Sequence, residues 1–453
     1  MFQKVLIANR GEIAVRIVRA CRELGIRTVA VFSEADRTAL HAQIADEAVC
    51  IGPARTADSY LNIRAILAAC ELTGADAIHP GFGFLSENAA FARTCEKCGV
   101  TFIGPTPEAM ELMGDKATAK TTMKNAGVPV VPGSDGLVTT LAQAKVIAEE
   151  VGYPVMVKAA AGGGGRGIRK VDTPDQLEDA ITAAKQEAKN FFGDDGVYLE
   201  KFIVNPRHVE IQLLADNFGN VIHLGERDCS LQRRNQKVLE ESPCPIMTPS
   251  LRKAMGEAAV RAAKACGYRN AGTVEFLLSG KDFYFMEMNT RIQVEHPITE
   301  MVTGVDLVKR QIRIAAGLPL ELKQSDIVLH GHAIECRINA ETPSLNFRPS
   351  PGRVQGLHMP GGPGIRIDSA MYQGFEITPY YDSMIAKLIA YAPTREEAFM
   401  KMKWALAEFL VEGVDTNIDF QLNLIKDPDV EAGAYDIGFL GRHPDLIPKG
   451  PAV

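Results

Sequence analysis

The sequence predicts an α/β protein, α+β over its whole length, with three successive domains. Three observations lead there. The first hundred or so residues alternate strand-length apolar runs with helical periodicity, four consecutive glycines break the middle of the chain, and short strands among Pro/Gly-rich turns follow residue 330. With 453 residues, 46% hydrophobic and 23% charged, the chain has ordinary globular composition and length for about three cores.

The opening reads as strand "KVLIA", turn "NRGE", a helix with Ile13, Ile17, Ala20 and Leu24 on one face, then strand "TVAVF". Further units through "ADAIHPG" and "VTFIGP" extend this βαβ start into a parallel sheet. The first turn offers only Gly11 where a G-x-G-x-x-G cradle needs three glycines, which argues against a nicotinamide dinucleotide. A second region begins at "MGDKATAKTTMKNAGVPVVPGS", and a third near "HGHAIECRINAE" runs to the helical "TREEAFMKMKWALAEFLV".

A formal charge of −7 argues against a general nucleic-acid or lipid-headgroup binder. No run of about 18 apolar residues appears, and the apolar start of "MFQKVLIANRGE" is too short for a signal-peptide core, so a cytoplasmic protein with no membrane segment is expected. Nine scattered cysteines fit reduced thiols. Cys95 and Cys98 lack the second pair a zinc site needs, and they close a helix rather than open one.

"VKAAAGGGGRGI" places Lys158 before the glycines, the reverse of a Walker A loop. It reads as a flap between two strands, whose N–H groups can approach phosphate oxygens with no Cβ in the way. In "GTVEFLLSGKDFYFMEMNTRIQVEH" two strands flank a turn at Ser279 to Asp282. An odd loop centred on Lys281 sets Glu275 opposite Glu287, with Asn289 on the same face. Opposed carboxylates on largely apolar strands demand a cation, and the all-oxygen set suits Mg²⁺ with nucleotide phosphates completing it.

"YPVMVKAAAGGGGRG" and "FMEMNTRI" resemble the paired signatures of ATP-grasp ligases. "NRGEIAVRI", "HPGFGFLSEN", "MGDK", "RIQVEHPITE", "HAIECRINAE" and "PYYDSMIAKLI" look like the biotin carboxylases among them, a likeness that runs from residue 1 to about 446. The resemblance implies a pre-ATP-grasp domain at 1–113, an ATP-grasp domain at 114–329 with a mobile glycine-rich lid at about 131–203, a mixed α+β C-terminal domain at 330–446, and a tail at 447–453. It also implies carboxylation of biotin by bicarbonate with ATP and Mg²⁺ (or Mn²⁺).

Carried over, the family pattern puts Lys116 and Lys158 on phosphates and Gly164 and Gly165 in the lid. Glu200, Lys201, Phe202 and Ile203 present adenine, His208 lies near ribose and phosphates, and Gln232, Asn235 and Leu277 complete the nucleotide site. Glu275, Glu287 and Asn289 bind metal. Lys237, Arg291, Gln293, Val294, Glu295 and Arg337 form the bicarbonate and biotin half, with Glu295 as base and Arg337 against the ureido oxygen. Two residues depart from the pattern: Asn235, where histidine is common, and Ala161, where glycine is frequent.

Biotin rides between two methionines at a hairpin tip in such systems, whereas Met400, Lys401 and Met402 fall within a predicted helix. With no carrier or acyltransferase domain before residue 453, the chain is expected to act as a homodimeric subunit. It would serve a separate biotin carboxyl carrier protein and carboxyltransferase subunits, as in acetyl-CoA carboxylase. The alternatives are a pyruvate, 2-oxoglutarate or other acyl-CoA carboxylase, a carbamoyl-phosphate or purine-pathway synthetase, and a non-catalytic nucleotide-binding subunit.

Overall fold

The structure is a computed structural model that describes residues 1–159, 168–192 and 195–449. The opening apolar runs form five parallel strands, β1 (Lys4–Ile7), β2 (Arg27–Phe32), β3 (Glu47–Cys50), β4 (Ala77–His79) and β5 (Thr101–Phe102), in the order β3-β2-β1-β4-β5. Such a sheet is covered on both faces, and the apolar stripe of helix Gly11–Glu23 (Ile13, Ala14, Ile17, Val18, Ala20, Cys21) is buried. Helix Ala89–Lys97 starts where the Asn88 side chain accepts from Phe91 N–H and ends at Cys98. Cys95 is buried and Cys98 exposed, both as free thiols.

The middle region begins with helix Lys116–Asn125, capped by the Asp115 carboxylate. A three-stranded antiparallel sheet follows, β6 (Val155–Ala159), β7 (Ile168–Val171) and β8 (Val197–Lys201), ordered β7-β6-β8. Residues 160–167 join β6 to β7, so Ala161, Gly164 and Gly165 lie outside the described residues. This small sheet and helices Leu141–Val151 and Leu177–Phe192 enclose their own core of Val155, Val157, Val171, Leu177, Ala184 and Leu199.

Eight further strands make one sheet: β9 (Arg207–Ala215), β10 (Val221–Arg233), β11 (Gln236–Ser242), β12 (Asn270–Ser279), β13 (Asp282–Asn289), β14 (His332–Asn339), β15 (Ile365–Ser369) and β16 (Met384–Ala392). Their order is β13-β12-β9-β10-β11-β14-β16-β15. The change of pattern at residue 330 does not interrupt it, because β11 pairs with β14 through Leu239↔Cys336 and Glu240↔Glu335. Helix Arg395–Glu408 packs on its C-terminal half and contains Met400, Lys401 and Met402. A shared core in which Val5, Ile7 and Ile17 meet Leu214, Ile222 and Ile292 welds the parallel sheet to the large one.

Candidate active site

β12 and β13 form the predicted hairpin, but by a different route. The loop is the two residues Gly280 and Lys281, between paired Ser279 and Asp282, with Gly280 at φ +62°. An even loop alone would set Glu275 opposite Met286. The register instead shifts between Glu275 and Phe276, so that Phe276 pairs with Phe285 and Glu275 pairs with Glu287. Met286 is the extra residue of a β-bulge and faces solvent. The two carboxylates share one face, with Asn289 two residues on.

Glu275 is buried, while Glu287 stands at the open rim. Gln293 Nε2 donates to Glu275 Oε1 at 2.7 Å, Lys237 Nζ lies 3.0 Å from the same oxygen, and His208 Nε2 lies 3.1 Å from Oε2. Burial opposes the Glu275 charge, but Lys237 and His208 outweigh it and hold the carboxyl well below the ordinary range. Glu287 makes no hydrogen bond among the described residues. Desolvation by the surrounding walls raises its carboxyl, and the charge on Glu275 raises it further. Asn289 Oδ1 accepts from Arg291 Nη2 at 2.9 Å, and its buried Nδ2 has no partner among the described residues. Lys116 and His208 offset part of the Glu287 charge from a distance, but no cation contacts it among the described residues, and an acidic pair of this kind beside an amide oxygen fits a hard divalent cation.

Lys237 on β11 is the hub. Its Nζ lies 2.6 Å from Glu210, 3.0 Å from Glu275, 3.3 Å from Gln293 Oε1 and 2.6 Å from Glu295. Burial opposes the ammonium, but Cys229 and the carboxylates of Glu210, Glu275 and Glu295 raise it well above its ordinary value. Glu295, at the start of helix His296–Thr303, also accepts from Arg337 Nη2 at 3.0 Å. Burial would raise this carboxyl, but Lys237, Arg337 and Arg227 depress it far below the ordinary range. Arg337 on β14 donates Nε to Glu240 at 2.6 Å. Arg291 donates Nε to Glu87 at 3.0 Å, beyond hydrogen-bonding reach of the Lys237 cluster.

On the nucleotide side, Glu200 is clasped by Lys158 Nζ at 2.5 Å and Lys120 Nζ at 2.8 Å. Burial opposes its charge, and the two lysines hold it below the ordinary range. Lys116 opens helix Lys116–Asn125 and is exposed. The segment Glu200–Ile203, expected to present adenine, is more engaged than that role predicts. Lys201 N–H bonds Pro132 O, Phe202 N–H bonds Pro154 O, and Lys201 Nζ bonds Gly152 O, leaving Ile203 N–H without a partner among the described residues. Leu277 pairs with His208 across β12 and β9, and Gln232 Nε2 lies 2.8 Å from His208 Nδ1. Asn235 forms, with Arg234, the two-residue turn between β10 and β11, and both have positive φ (+64° and +51°). Asparagine suits that geometry.

Sequence reasoning missed Glu87, Lys120, Glu210, Arg227 and Glu240. Arg227, fully buried, donates Nε to Glu210 at 2.5 Å and Nη1 to Gln212 at 2.7 Å beneath the site. Their signal was present as charge in strands otherwise apolar, "HVEIQLLAD" and "NVIHLGERD". Glu87 sits in "HPGFGFLSEN", one of the stretches carrying the resemblance.

A small antiparallel sheet carrying Lys158, together with an acidic hairpin at the edge of a larger sheet, is the pairing an ATP-grasp ligase presents to a nucleotide. Residues 1–110 match "Biotin carboxylase, N-terminal domain", 115–323 "Carbamoyl-phosphate synthase L chain, ATP binding domain", and 335–442 "Biotin carboxylase C-terminal domain". Biotin carboxylase 1 of Bacillus subtilis is 59% identical over 442 residues, 97% of this chain and 98% of its own. A pyruvate carboxylase subunit of Methanothermobacter thermautotrophicus is 54% identical over 443 residues, 98% of this chain and 90% of its own. The crystal structure of the biotin carboxylase domain dimer of Hydrogenobacter thermophilus 2-oxoglutarate carboxylase, in complex with MgADP, ADP and bicarbonate, superposes with TM-score 0.90 at 53% identity and covers 100% of both chains. The chain belongs to the biotin carboxylase family. It is an ATP-dependent ligase that carboxylates biotin.

Proposed function

We propose that the site divides between a nucleotide half and a carboxylation half joined by Lys237, with segments 1–113, 114–329 and 330–446 as its three parts. Lys116 and Lys158 neutralise phosphate charge, and Ile203 N–H with the Glu200–Phe202 backbone receives adenine. Gln232, His208, Asn235 and Leu277 border the ribose and phosphates, and Gly164 and Gly165 belong to the closing lid. Glu275, Glu287 and Asn289 hold Mg²⁺ or Mn²⁺, which supplies charge neutralisation at the phosphates when bound.

In the carboxylation half, Lys237, Arg291, Gln293 and Val294 hold bicarbonate, and Glu295 takes its proton. A carboxylate as depressed as Glu295 is a weak base. Bicarbonate answers this, since an anion beside Lys237 and Arg337 offsets the charges that depress it. A bicarbonate oxygen then bonds to the γ-phosphorus as the bond to ADP breaks. Carboxyphosphate separates into CO₂ and phosphate, phosphate takes the ureido N–H proton, and nitrogen bonds to CO₂ while Arg337 faces the ureido oxygen.

The observation that carries this reading is the single ammonium of Lys237, 3.0 Å from Glu275 and 2.6 Å from Glu295, which ties the acidic hairpin to the bicarbonate base. The test is ADP release by the purified chain with Mg-ATP, bicarbonate and free biotin. Bicarbonate-dependent release stimulated by biotin is expected. Release indifferent to biotin would point to another ATP-grasp ligase, and no turnover at all to a nucleotide-binding subunit.

The reading includes cytoplasmic action on a separate biotin carboxyl carrier protein, homodimerisation, and carboxyltransferase partners of an acetyl-CoA carboxylase. The similarity to pyruvate and 2-oxoglutarate carboxylase chains keeps those acceptors as the second reading, which a co-purifying transferase decides. Among the described residues no helix is long and apolar enough to cross a membrane.

A further inference from the structure

Lys387, in the middle of β16, is fully buried. An ammonium in that position is costly unless paired; its direct contacts come from three parts of the chain, and the buried Glu335 carboxylate on β14 adds attraction without a hydrogen bond. Glu12 Oε2, on helix Gly11–Glu23, lies 3.1 Å from Nζ, and Asp368 Oδ2, on β15, lies 3.9 Å away. Asp368 is itself gripped by Arg366 through Nε at 2.9 Å and Nη2 at 2.8 Å, so most of its charge is already answered. The third partner is the Val294 carbonyl oxygen, which accepts from Lys387 Nζ at 2.9 Å.

That carbonyl belongs to the peptide plane that carries the Glu295 N–H, so holding one end fixes the other. The rest of the segment is held elsewhere, by Glu87 on Thr290 N–H, Arg291 Nη1 on Ile292 O and His296 on Gln293 O, but none of these bonds reaches the Val294–Glu295 peptide. The segment follows β13, precedes helix His296–Thr303, and has no strand beside it among the described residues. Its side chains are the ones that converge on Lys237, namely Gln293 and Glu295. A buried cation on β16, an inner strand paired on both sides by β14 and β15, therefore holds the backbone from which the proposed bicarbonate residues project.

We propose that Lys387 is a positioning residue for bicarbonate, fixing the Val294–Glu295 peptide and through it the carboxylate that receives the bicarbonate proton. This rests on the role given to Glu295 above. Lys387 does not touch the nucleotide site, so its effect falls on bicarbonate rather than ATP.

The test compares Lys387→Met with the double variant Glu12→Gln/Lys387→Met, which leaves no stranded carboxylate at position 12, and with Glu12→Gln alone, which keeps the ammonium. In the folded double variant the bicarbonate KM should rise roughly tenfold and kcat fall, because small misplacements of a reacting group are costly, while the ATP KM stays within about twofold. Glu12→Gln alone should show the smaller rise. An unchanged bicarbonate KM, equal rises in both KM values, or a double variant that cannot fold each assigns Lys387 a purely structural role and overturns the proposal. Absence of bicarbonate dependence in the unsubstituted chain overturns the role of Glu295 instead.

Discussion

Glu240 and Glu241 are neighbours in sequence on opposite faces of β11, and their carboxyl groups are driven in opposite directions. Burial would raise Glu241, but His332 Nε2 at 2.6 Å and Arg395 Nε at 2.7 Å pull it down to about 2. Glu240 is raised to about 7 by burial and by Glu295, against Arg337 and Lys237. It pairs directly with Glu335, whose buried oxygens have no hydrogen-bond partner among the described residues. The signs of the two linkages follow. Stability from Glu241 is present above the ordinary carboxyl value of 4.5 and is lost as pH falls through about 2. Stability from Glu240 is present below 4.5 and is lost as pH rises through about 7. Thermal melts across pH should therefore show Glu240→Gln flattening the decline in Tm between these two values, while Glu241→Gln lowers Tm at neutral pH with a deficit that shrinks in acid. The opposite pattern would mean that the two faces of β11 are assigned the wrong way round. Neither behaviour was legible in "KVLEES", because alternation marks two faces without saying that both are covered.

At the scale of elements, the β12–β13 hairpin shows what sequence could and could not yield. The pairing of Glu275 with Glu287 was expected from an odd loop centred on Lys281 that the structure does not have, and the bulge that produces the pairing was not legible. Strand propensity gives no sign of which residue a ladder will skip, and Met286 became visible only as an exposed side chain beside a buried one. The bulge makes a testable statement about register. If Met286 is deleted, Glu287 follows Phe285 directly, so the register set by Phe276↔Phe285 still brings it to Glu275. Mg²⁺-dependent ATP binding, measured by calorimetry with and without the metal, should survive within about tenfold, with some loss of Tm as strand bend and twist change. Abolition of binding in a folded deletion variant would show that the bend, rather than the pairing, arms the acidic pair. Most of the parallel sheet, by contrast, was readable, since a βαβ unit joins nearby segments and writes both periods plainly, but the short, half-exposed edge strand β3 was not singled out. The β11–β14 pairing joins strands separated by helices and by the β12–β13 hairpin, and no local pattern announces it.

The whole molecule assigns rigidity and movement to different cores. The parallel sheet and the eight-stranded sheet share apolar side chains, with Ile7 and Ile17 in one cluster with Leu214 and Ile292, and they should unfold together. The lid sheet β6–β8 has a core of its own, made largely of valine and alanine with Leu177, Ile181 and Leu199. Small side chains bury little area, so this body should open at lower free energy than the sheet beneath it. Its ties to the rest are polar: Lys120 on helix Lys116–Asn125 reaches Glu200 on β8, which Lys158 on β6 also grips. Phosphates entering between those lysines would compete with Glu200 for both and add contacts across the cleft. Amide hydrogen exchange should accordingly be faster in β6–β8 than in β9–β12 for the free chain, and Mg-ATP should slow it in β6 and β8 while leaving β9–β12 nearly unchanged. Equal protection of the two sheets before nucleotide, or slowing by Mg-ATP spread evenly over both, would mean that lid and base form one cooperative unit. The reaction would then lack the moving cover that shields carboxyphosphate from water.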